Sequence, residues 1–73
     1  MNALFVPAKN REVERALREY GYLLKNQVGS HRHYEHPGIG TKITIVGEPG
    51  DEMSKGTLYS LLKRAGIPKK RGW

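Results

Sequence analysis

The stretch that most constrains the fold is residues 41–46, Thr-Lys-Ile-Thr-Ile-Val. Five of its six residues are β-branched, and Ile43 and Ile45 alternate with Lys42 and Thr44. β-branched side chains favour extended backbone, and an alternation of period two is typical of a strand with one buried face. The run therefore predicts a strand whose isoleucines face the core. Lys42 and Thr44 should face outward.

A second extended segment is predicted at residues 22–28, where the residues alternate without showing which face is buried. In a regular strand Leu24 and Asn26 would share one face, and Leu23 and Lys25 would share the other. The segment ends at Gly29-Ser30, which predicts a hairpin turn. Glycine takes positive φ without steric cost, and serine bonds back to nearby backbone.

The strand that returns from this turn carries all three histidines of the chain. Alternation divides it into His31, His33 and Glu35 on one face and Arg32, Tyr34 and His36 on the other. Tyr34 is the expected core residue, so His31 and His33 should face away from the core. Pro37-Gly38 should end the strand, because proline has no N–H for the ladder. His36 is then expected to have a structural role at the strand end.

A helix is predicted before the strands. Asn10 is the expected N-cap of a helix that begins at Arg11, and the apolar stripe is Val13, Ala16, Leu17 and Tyr20. Glu14 and Arg18 lie off this stripe and should form an i,i+4 pair. Gly21 should end the helix in the left-handed conformation.

A second helix is predicted after the polar loop of residues 47–53. It should open at Ser54 or Gly56, and its apolar stripe is Leu58, Leu61, Leu62 and Ala65. Gly66-Ile67-Pro68 should end it with a left-handed cap, a hydrophobic contact and a terminator.

Together these elements predict one α+β domain over residues 1–73, in the order α-β-β-β-α. A three-stranded antiparallel sheet with one apolar face buries that face only if both helices pack on the same side. Residues 1–9 are interpreted either as a frayed terminus or as an added edge strand. The basic tail, residues 68–73, is expected either to contact RNA through its charges and Trp73 or, as the favoured interpretation, to be a disordered end.

The charge of the chain points to polyanions as partners. Thirteen Lys and Arg against seven Asp and Glu give a net charge of +6, which favours contact with nucleic acid. There is no cysteine, so disulfides and thiolate metal sites are excluded. No apolar run approaches the ~20 residues of a membrane span, and the apolar residues 4–6 are too short for a signal-peptide core. We therefore expect a cytoplasmic protein that does not contact a membrane.

Several of these residues together resemble the HicA family of toxins, over about residues 10–67. They are Gly21-Tyr22, Gln27-Val28-Gly29-Ser30-His31 with Tyr34 and His36-Pro37, and Lys55-Gly56-Thr57-Leu58 followed by residues 61–67. The resemblance implies a fold similar to double-stranded-RNA-binding domains, an mRNA-cleaving activity and a HicB antitoxin that covers the site. It also maps the functional histidine of the family to His31. The family often has a proline and a histidine after the third strand, but residues 46–50 here contain no histidine.

His31 suits a mechanism in which a base removes the 2′-hydroxyl proton of RNA and that oxygen attacks the adjacent phosphorus. An imidazole near neutral pKa can transfer this proton. The candidate RNA contacts are Lys25, Ser30, Arg32, His33 and Lys42, of which His33 could also be the second proton-transfer group. Metal and other cofactors are not expected, since alternation puts only two of the three histidines on one face.

Two other functions are compatible with the sequence. In the first, the chain is a non-catalytic RNA-binding module of the same fold, and His31 contacts only the RNA backbone. In the second, it is a basic subunit of a larger assembly, for which the sequence contains no positive motif. Ser30 beside His31 is not expected to act as a nucleophile, because adjacent residues of a strand point apart.

Overall fold

Helix, three antiparallel strands and helix follow one another in the computed structural model, which describes residues 8–73. The elements are α1 (Asn10–Glu19), β1 (Leu23–Val28), β2 (His31–Glu35), β3 (Lys42–Val46) and α2 (Lys55–Ala65). This confirms the predicted α+β class and the α-β-β-β-α order. Of the predicted leader, residues 1–7 lie outside the described residues.

The sheet has the strand order β1-β2-β3, with both pairs antiparallel. Val28 pairs with His31, so Gly29 and Ser30 alone form the turn between β1 and β2. Gly29 has a φ of +58°, while no residue other than glycine has positive φ among the described residues. Positive φ at the first central position is the pattern of a type II′ turn, which matches the twist of the flanking strands.

The core lies between one face of the sheet and the two helices. Its sheet residues are Tyr34, Ile43 and Ile45, as predicted from alternation. The helices and loops add Val13, Leu17, Leu58, Leu61, Leu62, Met53, Ile67 and Tyr22. Every residue of β1 is exposed, so the helices cover β2 and β3 rather than β1. The opposite face of the sheet is open, which leaves its side chains accessible to a partner.

The start of α1 differs from the prediction, because Lys9 and not Asn10 is the N-cap. The Lys9 backbone N–H donates to Glu12 Oε1 at 2.9 Å. The buried Asn10 side chain donates instead to the carbonyls of Val46 and Glu48, at 2.9 and 3.0 Å. Asn10 therefore fastens the helix to the end of β3, since these carbonyls need a donor where the sheet ladder ends.

The buried face of α1 is also rotated from the prediction. Glu14 is buried and Tyr20 is 46% exposed, although apolarity alone placed Tyr20 in the stripe. The predicted pair of Glu14 with Arg18 is wrong, because the Glu14 carboxylate turns inward to the sheet.

The limits of α2 follow the sequence closely. Ser54 is the N-cap and accepts a hydrogen bond from the Thr57 N–H at 3.4 Å. All four residues of the predicted apolar stripe are buried, and Gly66 adopts the left-handed conformation with Ile67 buried behind it. Neither α1 nor α2, the helices of residues 8–73, has the length and apolarity needed to cross a membrane.

Residues on either side of the helices pack against the same core. Ala8 is fully buried and its carbonyl accepts from the Met53 N–H at 2.8 Å, so this end of the leader joins the loop before α2 and not the sheet. Trp73 packs partly buried against the core, and the Tyr59 hydroxyl donates to its carbonyl. The tail therefore lies on α2, in contrast to the disordered end that the sequence favoured.

Candidate functional site

The open face of the sheet brings most of the predicted site residues together. It consists of the outward residues of the three strands: Leu23, Asn26 and Val28 of β1, His31, His33 and Glu35 of β2, and Lys42, Thr44 and Val46 of β3. The pairs His31–Val46, His33–Thr44 and Glu35–Lys42 lie directly opposite each other in the ladder. Residues directly opposite in an antiparallel pair point to the same side, so each pair forms one row across this face.

A β-bulge in β1 decides which of its residues belong to the open face. Leu24 pairs with Tyr34 and Asn26 pairs with His33, so Lys25 is an extra residue between them. The bulge reverses the alternation, and Asn26 and Leu24 lie on opposite faces although a regular strand would put them together. Asn26 is thereby placed beside His33.

His31 begins β2 at the turn and is exposed. Its neighbours across the sheet are Val28 and Val46, whose side chains are 64% and 58% exposed. The ring of His31 is thus accessible to a large substrate, with apolar neighbours on both sides.

His33 lies in the next row and is only partly exposed. Its Nδ1 lies 3.0 Å from the Thr44 hydroxyl oxygen, and this contact fixes the ring on the sheet. Residues i and i+2 of a strand are separated by about 6.6 Å. His31 and His33 can therefore both contact RNA within one nucleotide step.

A recess of about 340 Å³ opens beside His33. It is lined by Lys25, Asn26, His33, Tyr34, Glu35, Lys42 and Thr44. Lys25, His33 and Lys42, three of the predicted RNA contacts, therefore share one recess. Within the part of the chain that the structure describes, neither lysine forms an ion pair. Both ammonium groups are free to bind phosphate.

Arg32 lies on the opposite side of the sheet from this recess. Its Nε donates to both oxygens of the Glu14 carboxylate at 2.9 Å, and its Nη2 lies 2.8 Å from Glu14 Oε2. Both side chains are buried. The expected contact of Arg32 with RNA is therefore not supported, because a buried charge that loses its partner is strongly unfavourable.

Tyr34 completes this buried cluster of Glu14, Arg32 and Tyr34. The Tyr34 hydroxyl donates to Glu14 Oε1 at 2.6 Å. Burial, together with this hydrogen bond to the carboxylate, raises the pKa of Tyr34 to about 12. The hydrogen bond to Glu14 likewise raises the pKa of Arg32 from its usual value. The cluster fastens β2 to α1 on the side of the sheet opposite His31 and His33.

Ser30 and His36 have backbone roles at the two ends of β2. The Ser30 carbonyl accepts from the Gly47 N–H at 3.0 Å, which closes the sheet beside the turn. His36 Nδ1 accepts from the N–H groups of Gly38 and Ile39, at 3.0 and 3.3 Å. The His36 ring also contacts Tyr22 edge-to-face, so His36 has the structural role that was predicted.

A second recess, about 390 Å³, lies between β3 and α2. It is lined by Ile43, Thr44, Gly56, Thr57, Ser60, Leu61 and Arg64. It contains no histidine or carboxylate, so it offers no group for proton transfer near neutral pH. The open face is the better candidate site although its recess is smaller.

The chemistry available on the open face is proton transfer by imidazole beside cations. Among residues 8–73 no three His, Asp or Glu side chains converge as metal ligands. The sequence did not single out Asn26, Glu35 and Thr44 as lining residues. Alternation does place Glu35 with His31 and His33, so the signal for Glu35 was present. The position of Asn26 on the open face could not be predicted from its neighbours in the sequence, because it depends on the bulge.

Comparison with known proteins gives one family match. The model of the family described as "HicA toxin of bacterial toxin-antitoxin" matches residues 11–67. No curated protein matches the chain. The matched range includes both helices and all three strands, with the exception of Asn10 at the start of α1.

Proposed function

The chain belongs to the HicA family of toxins of bacterial toxin–antitoxin systems, and on that premise we propose that it is a metal-independent endoribonuclease that cleaves mRNA. His31 transfers the essential proton. The observation that carries the proposal is an exposed histidine beside a recess lined by a second histidine and by two lysines that have no ion pair with any of residues 8–73.

The proposed reaction uses a nucleophile that the substrate already contains. His31 removes the proton of the 2′-hydroxyl, and the 2′-oxygen attacks the adjacent phosphorus. The bond from phosphorus to the 5′-oxygen breaks, and that oxygen takes up a proton. The products are a 2′,3′-cyclic phosphate and a 5′-hydroxyl. No step of this sequence needs a metal ion, because the nucleophile is intramolecular and an imidazole suffices as the base.

His33 is the candidate for the acid that protonates the 5′-oxygen. It is on the same face as His31, and the contact of its Nδ1 with Thr44 leaves Nε2 as the nitrogen available to the substrate. Lys25 and Lys42 neutralise phosphates beside the reacting one, which holds the RNA on the open face against its own charge repulsion.

A HicB-type antitoxin is the proposed partner that silences this site. A toxin needs such a partner in the cell that makes it, and blocking the open face would exclude RNA and shield His31 at once. Lys25 and Lys42 have no ion pair in the described part of the chain, and they suit a partner surface that carries carboxylates.

The test is cleavage of a defined single-stranded RNA by the purified protein and by His31→Ala. The variant should keep its circular-dichroism spectrum, since His31 is exposed and packs on nothing in the core, but lose about 10² or more in cleavage rate. RNA binding should be nearly unchanged, because affinity rests mainly on the lysines. The control is Glu52→Ala, which truncates an exposed side chain outside the open face and should keep both the spectrum and the cleavage rate.

Three outcomes would contradict the proposal. Cleavage of a strand with deoxyribose at the cut position would exclude the 2′-hydroxyl as nucleophile. Loss of activity in excess chelator would exclude a metal-independent reaction. Full cleavage by folded His31→Ala would either assign the proton transfer to His33 or reveal a contaminating nuclease, which would leave the alternative function, a non-catalytic RNA-binding module.

A further inference from the structure

We propose that the recess beside His33 is a base-binding subsite, and that Glu35 makes it select a base with an exocyclic amino group over uracil. This inference rests on the proposed function, since it assigns a substrate preference to the same open face. The ligand class is a single-stranded ribonucleotide whose base is cytosine, adenine or guanine.

The size and position of the recess suit one nucleotide. Its volume of about 340 Å³ lies near the lower end of the range of small-ligand sites, about 300–1,000 Å³. The bulge at Lys25 interrupts the regular ladder at this point and places Asn26 next to His33. Glu35 lies roughly 13 Å from His31 along β2 at the normal strand rise. At about 6.6 Å for one nucleotide step, the recess suits a nucleotide one or two steps from the one that is cut.

Glu35 is the carboxylate that lines the recess. It is partly buried, and its carboxylate has no hydrogen bond or ion pair with any of residues 8–73. Lys42 lies directly opposite it in the ladder, yet the two side chains do not pair. An ionised carboxylate only accepts hydrogen bonds, so a ligand that brings N–H donors into the recess satisfies it.

The four bases differ in the donors they bring. Cytosine, adenine and guanine each carry an exocyclic amino group, to which a glutamate can bind. Uracil has a carbonyl oxygen where cytosine has its amino group. Its single donor on this edge, N3–H, lies between two carbonyl oxygens that a carboxylate repels. Asn26 can donate and accept, and Thr44 is already engaged by His33. Glu35 is therefore the group that distinguishes the two pyrimidines.

The lysines of the recess bind a different part of the same nucleotide. Lys25 and Lys42 line the recess together with Glu35. Their charges suit the phosphate, which every nucleotide has, and so contribute affinity without selectivity. Because Glu35 contacts the base and the lysines contact the phosphate, removing the charge of Glu35 should change the base preference. Removing the charge of Lys25 should lower the affinity for all nucleotides.

The experiment compares the binding of CMP and UMP to the intact ¹⁵N-labelled protein by NMR. These nucleotides share phosphate, ribose and ring size, and they differ in the amino group that Glu35 should recognise. CMP should shift the Asn26 side-chain amide and the backbone amides of Glu35 and Thr44, with a Kd about tenfold lower than that of UMP. In Glu35→Gln the ratio should fall towards one, while Glu52→Gln, an exposed carboxylate outside the recess, should keep it.

Equal affinity for CMP and UMP, binding of neither, or shifts confined to the recess between β3 and α2 would overturn the inference. A parallel cleavage assay separates it from the proposed function. If the protein prefers CMP but cleaves no RNA, the subsite stands and the nuclease proposal fails. If it cleaves RNA without distinguishing cytosine from uracil near the cut, the subsite fails and the nuclease proposal stands.

Discussion

Tyr34 shows how a single buried residue couples the sheet to α1. Its hydroxyl donates to the Glu14 carboxylate, which also holds the Arg32 guanidinium. A carboxylate buried at this depth needs both partners, because its lone pairs have no access to water. The cluster thereby fixes the strand on whose other face His31 and His33 lie.

At the residue scale we predict that alkaline pH destabilises the protein through Tyr34. The folded state holds the phenol proton up to a pKa of about 12, while an unfolded tyrosine loses it near pH 10. Between these values the folded state binds more protons than the unfolded state. The contribution of the Tyr34 phenol to the free energy of unfolding is therefore complete below pH 10 and is lost as the pH rises towards 12. Urea midpoints measured from pH 9 to 12 should decrease.

Tyr34→Phe has no phenol to titrate, so its urea midpoints should decline less steeply over the same pH range. It should also be less stable at neutral pH, because Glu14 loses a donor. Tyr20→Phe is the matched control, since Tyr20 is exposed at the end of α1, and it should keep the slope of the unmutated protein. An equally steep decline in Tyr34→Phe would disprove the assignment.

At the scale of the element, two glycines of α2 and its cap offer a direct comparison. Gly66 ends the helix with a φ of +74°, whereas Gly56 lies in the first turn, where an added Cβ atom would meet no other atom within 4 Å. Gly66→Ala should destabilise the protein by about 1–2 kcal/mol, because alanine is strained in the left-handed region. Gly56→Ala should stabilise it by about 0.5–1 kcal/mol, through a less flexible unfolded chain and better helix propensity.

Both changes can be measured as shifts of the urea midpoint at constant slope. The two variants differ from the natural chain by the same methyl group at the two ends of one helix, so each is the control of the other. Shifts in the same direction would mean that backbone conformation does not decide the effect.

At the scale of the molecule, charge and the open sheet face together determine where a partner binds. The chain has a net charge of +6, and Lys25 and Lys42 are without ion pairs among the described residues. We predict that the antitoxin of this toxin covers the open face. Acetylation of lysines followed by mass spectrometry should find Lys25 and Lys42 protected in the complex, and the exposed Lys63 of α2 still reactive.

Charge reversal gives a second measure of the same surface. Lys42→Glu should slow association with the antitoxin and make it less sensitive to salt, since a charge on the rim of an interface acts mainly on the association rate. Lys63→Glu is the matched control on the helical side and should have little effect. Protection of Lys63 with Lys42 left reactive would place the partner on the helices and exclude direct blocking of His31.

Local patterns in the sequence determined the elements, their order and most of the core. The strand at residues 42–46 and the limits of α2 depend on interactions between residues at most four apart, such as β-branching, helical periodicity and caps. The outward facing of Lys42 and Thr44 and the burial of Tyr34 follow from alternation in the same way. The family resemblance over about residues 10–67 also came from the sequence, as did the choice of His31.

Only the tertiary structure decided which polar residues are buried and which line the recess. The bulge at Lys25 depends on pairing with β2, and it reversed the facing of Leu24 relative to Asn26. Glu14 lies 18 residues from Arg32 in the chain, and neither residue signals locally that the other will neutralise it. The physical reason is that burial of a charge is favourable only with a partner, and the partner is supplied by the packing of a helix on a sheet.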